Sequence, residues 1–158
     1  MRRVAAGRPL SDEFVFEISQ AIPEYAFERE PSGELTVAPN HTDGGAKSGA
    51  GGRVFDSSAG FSLSTAGLRA PDASWLSPER LSALTPAQRT GYWRACPSVA
   101  IEVRSPSEPW AAACRKIDEY AAAGADYAIA IDPAAGITYE RGNAPAGLAL
   151  DVAAIADA

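Results

Sequence analysis

The clearest alternation of hydrophobic and polar positions lies in residues 99–103, which read Val-Ala-Ile-Glu-Val. The odd-numbered residues are β-branched, and this period of two predicts a strand that turns them to one face of a sheet. Glu102 and, just beyond the strand, Arg104 then share the opposite face. A Ser-Pro-Ser turn at 105–107 ends the strand.

An amphipathic helix is predicted after this turn, from about residue 108 to 123. Ser105 or Ser107 can cap its first turn, and Gly124 supplies the left-handed residue that ends it. Residues 125–131 are almost continuously apolar, which is typical of a strand buried on both faces. Strand, helix and strand therefore form a βαβ unit.

The rest of the chain predicts shorter elements separated by proline- and glycine-containing turns. These are a helix capped by Ser11, a hairpin of strands 25–30 and 34–38, strands at 53–57, 60–63, 69–76 and 137–140, helices that begin near Ser77 and Thr85, and a weak final strand at 148–155. The predicted class is α/β (α+β), with a central mixed sheet flanked by helices. The 158 residues suit a single domain, 1–158.

Residues 39–52 have no hydrophobic period and contain no large apolar side chain. Their glycines predict a loop. The loop contains the only histidine, His41, for which a solvated loop position is favoured over a role as general base or ligand.

The composition of the chain limits which partners and which cellular compartment are expected. The net charge of −6 weighs against a broad nucleic-acid-binding face, although clustered metal-binding carboxylates would also make a nuclease acidic. Cys96 and Cys114 make no disulfide framework, so we expect free thiols and a cytoplasmic protein. No stretch approaches the roughly 18 apolar residues of a membrane span, so no membrane partner is expected.

Two carboxylates begin or occupy predicted strands, and two cations accompany them: Arg104 on the strand face of Glu102, and Lys116 on the helix that follows. Asp72 and Glu102 could bind Mg²⁺, which accepts one or two carboxylates together with water and phosphate oxygens. Lys116 or Arg104 could then neutralise charge on a phosphate. Simpler interpretations stay open: Asp72 as a turn residue, Glu102 and Arg104 as an ordinary pair, and Lys116 as a solvated lysine.

Several segments together resemble a known family. They are Pro71-Asp72, the run Glu102-Val103-Arg104-Ser105-Pro106-Ser107, the spacing Lys116-x-x-x-Tyr120 before Gly124, and Ile131-Asp132-Pro133. In order and spacing they resemble the bacterial family called "putative restriction endonuclease", of the PD-(D/E)xK nuclease superfamily. The resemblance covers most of the chain.

The resemblance implies a metal-dependent endonuclease that hydrolyses phosphodiester bonds in DNA. It implies that Asp72 and Glu102 bind Mg²⁺ or Mn²⁺, with the Val103 carbonyl as a further ligand. It also implies that Lys116, on the helix, holds the attacking water. The metal would lower the pKa of that water and offset charge on the scissile phosphate.

Other positions receive supporting roles from the same resemblance. Arg104 stands where the superfamily pattern has its lysine, and Glu28 matches an acidic position on the first hairpin. In similar proteins a long helix follows that hairpin, and here residues 39–52 replace it. A non-catalytic remnant, or a homodimeric interaction module that keeps the fold, is therefore the alternative.

Overall fold

A computed structural model describes the backbone of residues 2–4, 25–29 and 35–39, and residues 52–132 and 134–145. The described strands are β1 (Arg2–Val4), β2 (Tyr25–Arg29), β3 (Leu35–Pro39), β4 (Arg53–Asp56), β5 (Phe61–Ser62), β6 (Leu68–Arg69), β7 (Ala73–Leu76), β8 (Val99–Val103), β9 (Tyr127–Asp132) and β10 (Ile137–Gly142). The described helices are α1 (Pro78–Ala83), a 3₁₀ helix (Pro86–Arg89) and α2 (Trp110–Ala122). The predicted α+β class is confirmed.

Within these ranges the strands form two five-stranded sheets. The first has the order β1-β3-β2-β6-β5 and is antiparallel throughout. It contains the predicted hairpin, in which Arg29 pairs with Leu35.

The second sheet has the order β10-β9-β8-β7-β4 and is mixed. Its parallel pair is β8 with β9, joined through α2 as the βαβ prediction requires. The other neighbours are antiparallel. Every residue of β9 is buried, whereas β10 lies at an edge and is mostly exposed.

One predicted strand is wrong in its extent. Residues 69–76 do not form a continuous strand: β6 ends at Arg69 and belongs to the first sheet, whereas β7 starts at Ala73 and belongs to the second. Pro71 lies in the break between them. It has no N–H to give to a ladder, so pairing stops and the chain changes sheet.

The start of α2 also differs from the prediction. The helix begins at Trp110, Pro109 occupies the cap position, and no side chain of the described residues caps it. Ser105 and Ser107 instead place their hydroxyls 3.3 Å apart. The predicted end is confirmed, because Gly124 follows the helix with φ of +99°.

The two short helices begin as predicted. Ser77 caps α1 by accepting a hydrogen bond from the Arg80 N–H, and Pro78 is the first helical residue. Thr85 and Gln88 form a reciprocal capping box on the second helix, which is 3₁₀.

The main core lies between the second sheet and α2. Its buried members include Phe55, Phe61, Leu76, Trp93, Ala100, Ala113, Ile117, Tyr120, Ala128 and Ala130. Val99, Ile129 and Ile131 pack on the other face of the sheet. The alternation predicted for β8 is thus confirmed, and its even-numbered residues, including Glu102, face the helix.

A buried ion pair links the first sheet to the same helix. Arg69, the last residue of β6, is fully buried, and its Nη2 lies 2.7 Å from Oε2 of Glu119 on α2. This pair helps to fix the helix relative to both sheets.

Several predictions fall outside the described residues. These are the helix capped by Ser11, residues 40–51 of the glycine-rich segment including His41, and the final strand at 148–155. The single-domain organisation stays a prediction. No helix in the described part of the chain has the length and apolar character needed to cross a membrane.

Candidate active site

Three strand ends meet at one edge of the second sheet. β8 and β9 are parallel, so their last residues lie side by side, and β7 is antiparallel to β8, so its first residue lies there too. Ala73 pairs with Ile101. Continuing this register by one residue places Asp72 opposite Glu102.

Asp72 is tied to the neighbouring strand. Its side chain is exposed, and Oδ2 accepts a hydrogen bond of 2.6 Å from the backbone N–H of Val103 on β8. This bond fixes the Asp72 carboxylate beside the end of β8, whereas a simple turn residue would bond only to its own loop.

Glu102 is 4% exposed and faces α2. Oε1 accepts a hydrogen bond of 2.9 Å from the Tyr120 hydroxyl, and Oε2 accepts one of 3.2 Å from Lys116 Nζ. Lys116 and Tyr120 are four residues apart on α2 and therefore lie on the same face of the helix. One face of α2 thus supplies two hydrogen-bond donors to the buried carboxylate of Glu102.

Lys116 is an ion-paired residue with a side chain 15% exposed. Its ammonium lies 3.3 Å from Oε1 of Glu108 as well as 3.2 Å from Glu102. The interpretation of a solvated helix lysine does not fit this geometry.

Arg104 pairs with a different carboxylate from the one that the sequence placed beside it. Its Nη1 lies 2.9 Å from Oδ2 of Asp132, at the end of β9, and its Nε donates to the Glu108 carbonyl over 2.8 Å. Asp132 also accepts a hydrogen bond from the Ala135 N–H. Arg104 therefore ties the end of β9 to the turn before α2.

Glu28 lies on β2 in the first sheet, where it pairs with Thr36, and its supporting role stays a prediction. Asp72 directly precedes β7 and Glu102 lies on β8, both strands of the second sheet. Of the predicted site residues, Asp72, Glu102, Val103 and Lys116 are brought together. Their roles in binding metal or in catalysis stay predictions.

The donor set at this edge suits a hard cation held by few protein ligands. Within the described ranges no three His, Cys, Asp or Glu side chains converge as a metal cluster would. Two opposed carboxylates with water match what Mg²⁺ accepts. Glu102 and Glu108 face a single ammonium, that of Lys116, so this group carries one more negative than positive formal charge.

The two cysteines play no part in this arrangement. Both are free, and burial raises the pKa of the Cys96 thiol to about 11. Its Sγ lies 3.5 Å from the Tyr120 carbonyl, to which the thiol donates. A thiol of such a pKa is almost entirely protonated near neutrality and makes a poor nucleophile.

The model of the family Uma2, described as "Putative restriction endonuclease", matches residues 17–137. The chain belongs to the Uma2 family. This confirms the resemblance seen in the sequence motifs, and the matched region contains Asp72, Glu102 and Lys116.

A solved structure supports the same fold. It is the crystal structure of a "putative nuclease belonging to DUF820" from Anabaena variabilis ATCC 29413, with a TM-score of 0.56 and 14% sequence identity. The alignment covers 90% of this chain and 97% of that one. No curated protein sequence matches the chain.

The sequence gives no site role to two residues that contact Lys116 or Glu102. Tyr120 is named in the motif Lys116-x-x-x-Tyr120, whose spacing places both side chains on one face of the helix, but not as a partner of Glu102. Glu108 is named only as the start of the predicted helix. No sequence pattern indicates that Glu108 turns inward.

Proposed function

We propose that this chain is a Mg²⁺-dependent endonuclease that hydrolyses phosphodiester bonds in DNA. The observation that carries the proposal is the Lys116 ammonium 3.2 Å from the Glu102 carboxylate, on the strand position opposite Asp72. Membership of the Uma2 family, and the likeness to a structure described as a nuclease, support it. The free cysteines suit a reducing compartment, and we place the activity in the cytoplasm.

Asp72 and Glu102 would hold the metal, with the Val103 carbonyl as a further oxygen. A bound divalent ion supplies an acidified water and charge neutralisation at a phosphate. The backbone N–H of Val103 orients the Asp72 carboxylate, and the Tyr120 hydroxyl orients that of Glu102. Such partners keep ligand oxygens in place before a cation arrives.

Lys116 would act on the substrate side. Its ammonium can donate to the attacking water or to a non-bridging phosphate oxygen, and its positive charge favours the extra negative charge of the transition state. The helix and the carboxylates of Glu102 and Glu108 keep the Lys116 ammonium in this part of the site.

Arg104 fits an anchoring role better than a phosphate clamp. Its side chain is 24% exposed and its guanidinium contacts Asp132 and the Glu108 carbonyl. A clamp would need those N–H groups to turn outward to the phosphate.

Metal binding tests the proposal. Mn²⁺ is titrated calorimetrically into the wild type, Asp72→Asn and the matched control Asp126→Asn. Asp126 is an exposed aspartate at the opposite end of β9, paired with Arg80. We expect binding in the wild type and the control, and its loss in Asp72→Asn.

Cleavage completes the test. Mn²⁺ or Mg²⁺ with duplex and single-stranded DNA should give products with the wild type, and none with Asp72→Asn or Glu102→Gln. A folded wild type that binds no Mn²⁺ and cleaves no DNA would refute the proposal and favour the non-catalytic interaction module. Size measurement in solution then shows whether that module is a homodimer.

A further inference from the structure

We propose that Glu108 is a positioning residue for Lys116: it shares the lysine ammonium with Glu102, so that Glu102 can take up a cation while Lys116 keeps a carboxylate partner. This inference rests on the proposed function. It assigns Glu108 a part in cation binding through Lys116, without direct contact with metal or substrate.

The geometry places one ammonium between two buried carboxylates. Lys116 Nζ lies 3.2 Å from Glu102 Oε2 and 3.3 Å from Glu108 Oε1. Glu108 is 6% exposed, and its Oε1 makes no hydrogen bond with any described residue. The ammonium carries three N–H groups and can face both acceptors.

The backbone around Glu108 is fixed, so its carboxylate approaches Lys116 from a defined point. Its N–H donates to the Ser105 carbonyl over 3.0 Å, and its own carbonyl accepts from Arg104 Nε over 2.8 Å. Arg104 is in turn held by Asp132. Arg104, which stands where the superfamily pattern has its lysine, thereby holds the backbone of Glu108, the residue whose carboxylate faces Lys116.

Electrostatics explains why a shared ammonium matters. A cation that binds Glu102 competes with Lys116 for Oε2 and repels the ammonium. With Glu108 in place, Lys116 can move towards a second carboxylate and stay paired in its largely buried position. With a neutral residue at position 108, Lys116 is held more firmly by Glu102, and the cation binds less well.

A mutant cycle separates this mechanism from a simple field effect. Mn²⁺ affinity is measured by calorimetry on the full chain as wild type, Glu108→Gln, Lys116→Met and the double variant. We expect Glu108→Gln to weaken binding by about tenfold in the wild-type background, and by much less in the Lys116→Met background. An equal loss in both backgrounds, or none in either, would overturn the proposal.

Two further variants make the test specific. Glu108→Asp keeps the charge but withdraws the carboxylate from Lys116, so a positioning role predicts weaker Mn²⁺ binding, whereas a field effect predicts little change. This variant also serves if Glu108→Gln does not fold. Asp118→Asn removes the same charge from the exposed side of α2 and should leave Mn²⁺ affinity unchanged.

Failure of the proposed function would be recognised separately. If the wild type binds no Mn²⁺ and cleaves no DNA, the metal-dependent function is refuted. The same four proteins then test the pairing by thermal unfolding without metal. Non-additive shifts in Tm would support the contact between Glu108 and Lys116, and additive shifts would overturn it.

Discussion

The Tyr120 hydroxyl donates to Oε1 of Glu102 over 2.9 Å, and both side chains are buried between α2 and the second sheet. A hydrogen bond of this kind selects one orientation of the carboxylate. It connects the core of the domain to the edge where a metal is proposed to bind.

Tyr120→Phe should therefore weaken Mn²⁺ binding by about tenfold, because the carboxylate loses the donor that orients it. The fold should persist, at a cost of about 1–2 kcal/mol for the lost buried hydrogen bond. Calorimetry and urea unfolding measure the two effects. Tyr139→Phe is the control, since its hydroxyl bonds to the exposed Asp118; equal losses of Mn²⁺ affinity in both variants would contradict the prediction.

Arg104→Ala should destabilise the protein by about 2–3 kcal/mol, because it leaves the Asp132 carboxylate, 5% exposed, without its guanidinium partner. Urea unfolding measures the loss. The double variant Arg104→Ala with Asp132→Asn should recover part of it, since the uncompensated charge is gone. Arg141→Ala, which breaks an exposed pair with Asp118, should cost less than about 1 kcal/mol. Similar costs for the two arginines would refute this account.

Tyr127 should make stability fall at alkaline pH. Burial, followed by the hydrogen bond and the charge of Glu140, raises the pKa of Tyr127 from 10.0 to about 12. The folded state thus favours the neutral phenol, so its contribution is present below pH 10 and is lost as the pH rises towards 12. Unfolding free energy measured between pH 9 and 12 should fall more steeply for the wild type than for Tyr127→Phe. Identical slopes would show that Tyr127 is not responsible.

Gly142→Ala should be more costly than Gly136→Ala. Both glycines have positive φ, +80° and +64°, so alanine is strained at either site by about 1 kcal/mol. A methyl group at position 142 would also collide with the backbone of Asp126, whereas at position 136 it meets open space. We expect at least about 2 kcal/mol more destabilisation for Gly142→Ala in thermal or urea unfolding. Equal costs would mean that the backbone of Asp126 yields.

The sequence predicted the elements whose signal is local. The alternation in β8, the apolar run of β9, the capping box at Thr85 and the glycine after α2 depend on neighbours a few residues apart, and all four are present. The assignment of residues 69–76 to one strand failed because the pairing partner of each half is set by distant segments.

The site shows the same division. Motif resemblance brought Asp72, Glu102 and Lys116 together, and the sheet register agrees with it. The partner of Arg104 could not be read from the alternation, since Asp132 comes from a strand 28 positions further along the chain. Glu108 points inward because of how the loop before α2 folds. The sequence of that loop has no hydrophobic periodicity from which this direction could be predicted.

The break between β6 and β7 has a consequence for how this site can change. Asp72 lies in the short connection, residues 70–72, between strands of different sheets. Such a connection has little slack, so a displacement of the first sheet would act on Asp72 against the Val103 hydrogen bond that holds its carboxylate beside β8. The geometry of the two carboxylates therefore depends on the first sheet, although neither Asp72 nor Glu102 lies in it.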